Sequence, residues 1–568
     1  MSWNRWIEPY VDTGRELMTP WRLSQGENLY RDIHFPHGPL GPYLAALADG
    51  IFGRSLYART ALAALIALLH LAALDRLARR LLPPWRAALA ASAAVGAAMF
   101  LRPGGWLFPF SLDTAIAVAA LTWALVFQDR GEAPGAGGRT GLCLAAALLA
   151  RPEMGLAGVA VFALAARREP LRLLALAAFP LAAAAAAYGA FSVGVSRELL
   201  AADGWLRFLD PPEAYRNVYR SYAGLDRVGL RLSELSLVAV VLALAAALVT
   251  AAAFFASRVA GKSRRGAALL EILPIALLAA AAAARFHPPE FLAGELELFP
   301  PLVRVIPPSL VLAAGLRLLS RLRNREPRGP LRAVPDPFLW IGGFFSLRLL
   351  LAAGYVGPYA AFFLPLPIVV ALYGLFAIAD RAAPAVGAAL PRLTAAALTL
   401  FLVFRLASMA RLYRGQTWSR VDTPVGSLRL TEPVAAATRA VLDDLSRRLP
   451  AGATLAGFPE TGFFNYALGR RSSFWLDQFF PGHLDEAGEA RAIAVLASRP
   501  PDALLYANVL AVGENARVFG RDYYTRLDAA ARARFRPSAV YGPGAKPDPR
   551  IGDPGFFVEV LVPRETGP

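Results

Sequence analysis

Residues 55–74 read SLYARTALAALIALLHLAAL, a run whose only basic or imidazole side chains are Arg59 and His70. At a helical rise of about 1.5 Å per residue, about twenty residues span the roughly 30 Å hydrocarbon core of a bilayer. Similar runs recur at 87–101, 111–128, 139–151, 154–166, 171–192, 234–257, 267–285, 307–320, 337–353, 359–379 and 392–411. The pair 139–151 and 154–166 is short for full spans and reads as broken helices, which membranes tolerate where helices line a cavity. The pattern predicts an α-helical polytopic membrane protein of about 12 spans over residues 55–411. Composition agrees: the 568 residues are 56% apolar, with a mean hydropathy of +0.44. An ordinary soluble chain lies nearer half apolar.

Two segments depart from that pattern. Residues 1–54 are polar and read as a first extracytoplasmic loop. Residues 412–568 have the composition of a small soluble α/β domain. There "PVAAATRAVLDDLSRRL" has helical apolar spacing, while "ATLAGF", "DALLYAN" and "GFFVEVLVP" read as buried strands. "GPGAKPDPRIGDPG" is a turn-rich loop before the last of them.

The net charge of +17 is distributed in short loops, which excludes a nucleic-acid-binding stripe. Basic loops hold Arg76, Arg79, Arg80 and Arg86; Arg130 and Arg139; Arg167, Arg168 and Arg172; Arg258, Lys262, Arg264 and Arg265; Arg321, Arg323, Arg325 and Arg328; Arg381 and Arg392. By the positive-inside rule these loops are cytoplasmic. The polar N-terminal stretch, "RPGGWLFPFS", 193–233, "RFHPPEFLAGELELFPP", "GYVGPYA" and the C-terminal domain then face outward, although 193–233 also carries several arginines. The predominance of Ala, Leu, Gly and Pro, with Arg far above Lys, fits a GC-rich bacterial genome and a location in the bacterial cytoplasmic membrane. The single Cys143 excludes an intramolecular disulfide, and "MSWNRWIEPYVDT" has no apolar signal-peptide core. Asp12 is expected outside although no span precedes it. Either a short N-terminal tail is translocated, or a first helix belongs ahead of residue 1, lost by truncation or by a misplaced start; the second is the expectation.

The outward polar cluster has a definite chemistry. Asp12, Glu16 and Asp32 are candidate general bases towards a hydroxyl or amine. Arg15, Arg22, Arg31 and Arg151 are candidate clamps for a lipid-linked phosphate, because a planar guanidinium bonds two oxygens at once. A solvated loop with helix caps is the alternative. Arg151 and Glu153 lie between two apolar half-spans, where an ionisable group is costly. The alternative there is an Arg that snorkels or pairs with Glu153. Asp113 begins a span and equally suits the positive end of the helix dipole. His34 and His37 near Asp32 raise a metal site, but no HExxH or paired-Cys spacing supports zinc, and none is expected. No Walker sequence, dinucleotide fingerprint or hydrolase elbow occurs, which argues against a nucleotide-sugar donor.

The order "VDTGREL…PWRL…LYRDI…GPLGPYL" resembles the first extracytoplasmic loop of GT-C fold glycosyltransferases. The similar enzymes are family-39-like, related to protein O-mannosyltransferases and lipid A aminoarabinose transferases. "WLFPFSLDTA", "LLARPEMGLAG" and "GFPETGFFNYALGRR" extend the resemblance. It implies a GT-C fold and an inverting glycosyltransferase that takes a sugar from a polyprenyl-phosphate donor to a lipid, glycan or protein acceptor; some enzymes of this fold use a metal and others do not, and no cofactor is expected here. It also implies that Asp12 is the catalytic acid position, acting as base, with Glu16 a second carboxylate on the same helical face. Glu16 alternatively partners Arg15 or Arg22. The resemblance assigns the donor phosphate to Arg151, Arg31 and Arg22. It lines the substrate cavity with Tyr30, Asp32, His37, Asp113 and Glu153. Arg31 and Asp32 alternatively pin the loop by an internal salt bridge, and His37 stands where a tyrosine is more usual. The aromatic stretch "GFFNYALGRRSSFWLDQFFPG" is expected to pack the soluble domain against the membrane part. Competing readings are a transporter or flippase of lipid-linked glycans, for which internal repeats are lacking, and an O-antigen polymerase or ligase.

Overall fold

A computed structural model describes residues 9–99, 106–107, 111–128, 136–166, 169–260, 301–323, 332, 334–351, 359–387, 389–415, 417–509, 517–542 and 556–564. The expected span 267–285 lies outside them. Among the described residues, five helices are long and apolar enough to cross a membrane: Leu56–Leu81, Pro170–Phe191, Val228–Phe255, Val303–Leu322 and Pro365–Val386. Shorter apolar helices, Leu40–Phe52, Leu112–Gln128, Gly137–Ala150 and Pro152–Ala165, pack among them. The chain is a largely helical, multi-pass membrane protein with a C-terminal region of mixed helix and strand.

Helix α1 spans Thr13–Ser24, α2 Leu40–Phe52 and α3 Leu56–Leu81. The residues expected to form one polar loop thus contain two helices. Helix α3 starts where the Ser55 hydroxyl accepts the Ala58 amide, and it stops just before Pro83 and Pro84. Its buried stripe runs through Leu56, Thr60, Ala63, Ile66, Ala67, Ala73, Leu74 and Leu77, the spacing of one helical face. The remaining membrane helices used below are α4 (Pro84–Ala94), α5 (Leu112–Gln128), α6 (Ala136–Ala150) and α7 (Pro152–Ala165).

In the C-terminal region a hairpin, β1 (Trp418–Thr423) and β2 (Gly426–Thr431), precedes the helix Glu432–Arg448. A second sheet follows, from β3 (Leu455–Phe458), β4 (Ala503–Ala507), β5 (Phe535–Tyr541) and β6 (Val558–Pro563), in the order β3-β4-β6-β5. Strands β3 and β4 are parallel, and β6 runs antiparallel to both its neighbours. Alternation in β4 and β6 sends Ala503, Leu505, Ala507, Val558 and Val560 to one core. Leu504, Tyr506 and Leu561 go to the other. Burial on both faces explains why these segments read as continuous apolar runs.

The first of those cores contains residues from the opposite end of the chain. Tyr10, Leu17, Met18 and Trp21 are buried with Leu442, Leu445, Phe463 and Tyr466. Helix α1 therefore belongs physically to the C-terminal region. Its approach to the helix Gly462–Leu468 needs two small residues. A Cβ on Gly14 would lie 2.9 Å from Glu460 Oε1 and 3.1 Å from the Gly462 amide nitrogen. Gly14→Ala is expected to cost about 1–3 kcal/mol, as overpacking does, and to lower the melting temperature in detergent. An unchanged melting temperature would contradict this contact. A second tie joins α2 and α3 to the same region. Arg59 bonds Asp49 at 3.0 and 2.6 Å, and the Tyr466 hydroxyl donates to Asp49 at 3.3 Å.

Candidate active site

Asp12 stands at the start of α1 with φ of +63°, a region where Asp and Asn are the most tolerated residues besides glycine. Its backbone amide donates to Glu460 Oε2 at 2.6 Å, and the Arg15 amide donates to Glu460 Oε1 at 3.0 Å. Glu460, fully buried, thus caps the positive end of α1 from a distant part of the sequence. Gln478 completes the arrangement. Its Nε2 donates to Asp12 Oδ1 at 2.9 Å and to Glu460 Oε2 at 2.8 Å, and its Oε1 accepts from Arg15 Nη1 at 3.1 Å. Among the described residues Asp12 Oδ2 makes no hydrogen bond, and the Asp12 side chain is 30% exposed. The carboxylate is oriented by its neighbours yet open on one side.

Burial, and next the Asp12 charge, push Glu460 up to about 7, against the pull of Arg15 and Gln478. A carboxyl whose folded value exceeds its unfolded one binds its proton more tightly when folded. The resulting stability is present below about pH 4.5 and is lost as pH rises through about 7. Between those values the stability of the wild type should fall with pH relative to Glu460→Gln by at most about 1.4 kcal/mol per pH unit, read as a falling melting temperature. Parallel melting profiles for the two proteins would contradict the raised value.

Glu16, four residues after Asp12, is almost buried. It accepts from Arg15 Nη2 at 3.2 Å, and its Oε2 accepts the Leu112 amide at 3.3 Å. Burial pushes the Glu16 pKa above the usual carboxylate range, partly offset by Arg15. Glu16 therefore connects the Asp12 network to the first turn of α5. The same turn holds Arg151, which sits between α6 and α7 and is 3% exposed. Arg151 Nε and Nη2 donate to Thr114 Oγ1 at 3.0 and 2.8 Å, and Nη2 also donates to Ser111 Oγ at 3.2 Å. Its Nη1 donates to His37 Nδ1 at 2.8 Å and faces Glu153 at 3.6 Å. Burial first, then the Arg151 charge, hold His37 well below the usual imidazole range, so it accepts as the neutral ring. Asp113, between Leu112 and Thr114, accepts the Gly41 amide on Oδ1 at 3.1 Å. Its buried Oδ2 has no hydrogen-bond partner among the described residues. A Cβ at Gly41 would overlap Asp113 Oδ1, so only glycine permits this contact.

The other anticipated residues divide. Tyr30 is buried, and its hydroxyl donates to the His37 carbonyl at 2.8 Å. Glu153 is 30% exposed and pairs with Arg348 Nη2 at 3.5 Å as well as facing Arg151. Arg22 is buried and engaged on all sides. It donates to Glu27 at 2.8 and 2.6 Å, to Asp477 at 2.9 Å and to the Asp32 carbonyl at 3.0 Å. Arg31 is exposed and bonds Asp32 at 3.1 and 2.9 Å, while Asp32 also accepts the Asn28 amide at 2.8 Å. The structure thus brings Asp12, Glu16, Asp113, Arg151, His37 and Glu153 to the start of α5. Arg22, Arg31 and Asp32 bond within the first loop, and Arg22 also bonds Asp477.

Sequence reasoning missed Glu460, Gln478 and Arg348 as site residues. Glu460 stands in "PETG", where an acidic residue before a helix was the available signal. Arg348 lies over the Tyr219 ring at 4.6 Å. The Arg348 guanidinium also lies 6.0 Å from the Tyr359 ring centroid. Among the described residues, no group of three or more His, Cys, Asp or Glu is arranged to hold a metal ion.

No protein-family model matches the chain, and no curated protein matches it. Among solved structures it is similar to ArnT from Cupriavidus metallidurans in the apo state, at 14% identity and a TM-score of 0.40 over 96% of this chain and 93% of that one. The same protein bound to undecaprenyl phosphate gives 14% identity and 0.42, over 99% and 96%. The Archaeoglobus fulgidus oligosaccharyltransferase in complex with Zn and sulfate gives 14% identity and 0.45, over 94% of this chain and 68% of that one.

Proposed function

We propose that the chain is an inverting glycosyltransferase of the GT-C type, family-39-like. In this reading it moves a sugar from a polyprenyl-phosphate donor to a lipid, glycan or protein acceptor on the outer face of the bacterial cytoplasmic membrane. The observation that carries the reading is the convergence of an oriented, partly open carboxylate and a buried guanidinium on one helix start. Asp12 reaches the first turn of α5 through Arg15 and Glu16, and Arg151 reaches it through Ser111 and Thr114.

In this reading Asp12 Oδ2 takes the proton of the acceptor nucleophile as it attacks the anomeric carbon from the face opposite the phosphate. The bond from that carbon to the phosphate oxygen breaks, and polyprenyl phosphate leaves with its charge held by Arg151 and by Arg348 across Glu153. Arg22 and Arg31 serve this step through the shape of the first loop. Glu16 fixes Arg15 and α5 relative to Asp12. No cofactor enters the reaction. The domain division 1–54, 55–411 and 412–568 belongs to the same proposal, with the first segment sharing a core with the third. Membranes containing the chain should release free polyprenyl phosphate from labelled polyprenyl-phosphate hexoses in an acceptor-dependent manner. Donor that stays intact with every acceptor class would overturn the assignment.

A further inference from the structure

His34 lies in the first loop, three residues before His37, and the reaction outlined above does not use it. Its ring is 3% exposed, and its Nδ1 lies 2.8 Å from Asp203 Oδ1. Asp203 follows the helix Arg197–Ala202 and also accepts from Trp475 Nε1 at 3.1 Å and from Arg491 Nη1 at 2.9 Å. The Trp475 and Arg491 donors keep the Asp203 carboxylate ionised, so Nδ1 carries the proton towards it and Nε2 presents a lone pair. That Nε2 is buried and has no hydrogen-bond partner among the described residues. Burial lowers the basicity of His34, and the charges of Arg207 and Arg15 add to this against the pull of Asp203, which agrees with a neutral ring.

Anchoring the loop does not require this ring. The His34 amide already donates to the Trp475 carbonyl at 2.8 Å, and the Phe35 amide to the Asp203 carbonyl at 2.8 Å. A residue whose only task was to fill space would avoid a buried unsatisfied acceptor, because such an atom is costly. The position also connects to the site. The His34 ring stacks on His483 with centroids 5.8 Å apart, and His483 Nδ1 donates to the Gln478 carbonyl at 2.8 Å. Gln478 is the residue that orients Asp12. Tyr215 packs edge-on against the same His483 ring at 5.3 Å. A neutral acceptor beside aromatic rings, linked to the proposed base through His483 and Gln478, is chemistry suited to a sugar hydroxyl.

We propose that His34 Nε2, held by Asp203, accepts a hydrogen bond from a hydroxyl of the sugar-bearing substrate and so helps to select it. The inference rests on the glycosyl-transfer reading for the kind of ligand, and donor and acceptor share the hydroxyl chemistry. The test reads binding to the full-length purified chain. One arm uses undecaprenyl-phosphate glucose, mannose and galactose with their monodeoxy derivatives. The other uses the corresponding dodecyl hexosides. His34→Asn keeps an N–H for Asp203 and removes the Nε2 acceptor. His34→Gln places an amide oxygen near Nε2.

In one arm His34→Asn should weaken binding of a parent sugar about tenfold. For a single monodeoxy derivative the wild type and His34→Asn should bind alike, and His34→Gln should recover part of the loss. The arm that responds identifies donor or acceptor as the source. Asp203→Asn leaves the ring in place but frees its tautomer, and it should give the same selectivity pattern with a smaller loss. If His34→Asn does not fold, as judged by melting of the unliganded protein, the cycle runs on Asp203→Asn and His34→Gln. Equal binding by wild type and variants, an equal loss towards every deoxy derivative, or no sugar binding by the wild type would each overturn the proposal. Because binding is read without turnover, sugar binding without transfer would count against the transfer reading and leave this one standing.

Discussion

Asparagine at position 12 is expected to lower sugar transfer by about 10²- to 10⁴-fold, the usual contribution of a general base, while donor binding stays within about twofold. The substitution isolates the charge. Asn tolerates the positive φ of this position as well as Asp does, and its Oδ1 can still accept from Gln478. Alanine would confound the result, because it would strain the helix start and take away one of the two acceptors of Gln478 Nε2. Transfer assays at saturating donor, with donor binding on the same preparation, separate the two quantities. Wild-type transfer by Asp12→Asn would remove Asp12 from the chemistry.

The second large effect belongs to Arg151. Its guanidinium is the hub for Thr114, Ser111 and His37, and it faces Glu153. Arg151→Met should therefore act twice. Stability should fall by about 3–5 kcal/mol, as when one partner of a buried charge network is removed. Donor affinity should fall by about two orders of magnitude, the size expected when a charge-assisted phosphate contact is lost. Arg151→Lys separates these effects, since it retains a charge but not the planar fork. It should keep more stability than Arg151→Met while donor affinity remains reduced. Donor binding unchanged in a folded Arg151→Lys protein would assign the phosphate elsewhere, with Arg348 the next candidate.

The five helices long and apolar enough to cross a membrane were legible, out of about 12 expected spans, because a bilayer imposes a length on every span and that length appears in the sequence as an apolar run. The run at 55–74 became α3, with its end extended to Leu81 by the amphipathic turn containing Arg79 and Arg80. The strands at 455–458, 503–507 and 558–563 were legible for a related reason, since burial on both faces makes them continuously apolar. The hairpin β1–β2 was not. Its sequence WSRVDT and GSLRLT alternates charged with apolar residues and has only a "PV" turn between the strands. Strand β5 was missed likewise, because much of its surface is exposed.

The site was legible in its local parts only. Arg31 beside Asp32, and Glu16 one turn after Asp12, are short-range relations that helix and loop geometry suggest. The bonds that orient Asp12 join it to Glu460 and Gln478, separated by 448 and 466 positions. No periodicity carries such information. It depends on α1 packing into the C-terminal core, which α1 does through Leu17, Met18 and Trp21 at one-turn spacing. The same long-range packing explains Arg22. In sequence it is a free cation, but in the fold it meets Asp477 and Glu27.

The central claim is chemical transfer rather than passage of a lipid-linked glycan across the membrane. The most direct measurement uses the purified chain in lipid vesicles with a polyprenyl-phosphate hexose labelled in both the sugar and the phosphate. The account predicts that the two labels separate: the sugar appears on the acceptor with inverted anomeric configuration, and an equal amount of polyprenyl phosphate is formed. Labels that stay together while the intact donor moves between leaflets would contradict it and would make the chain a transporter.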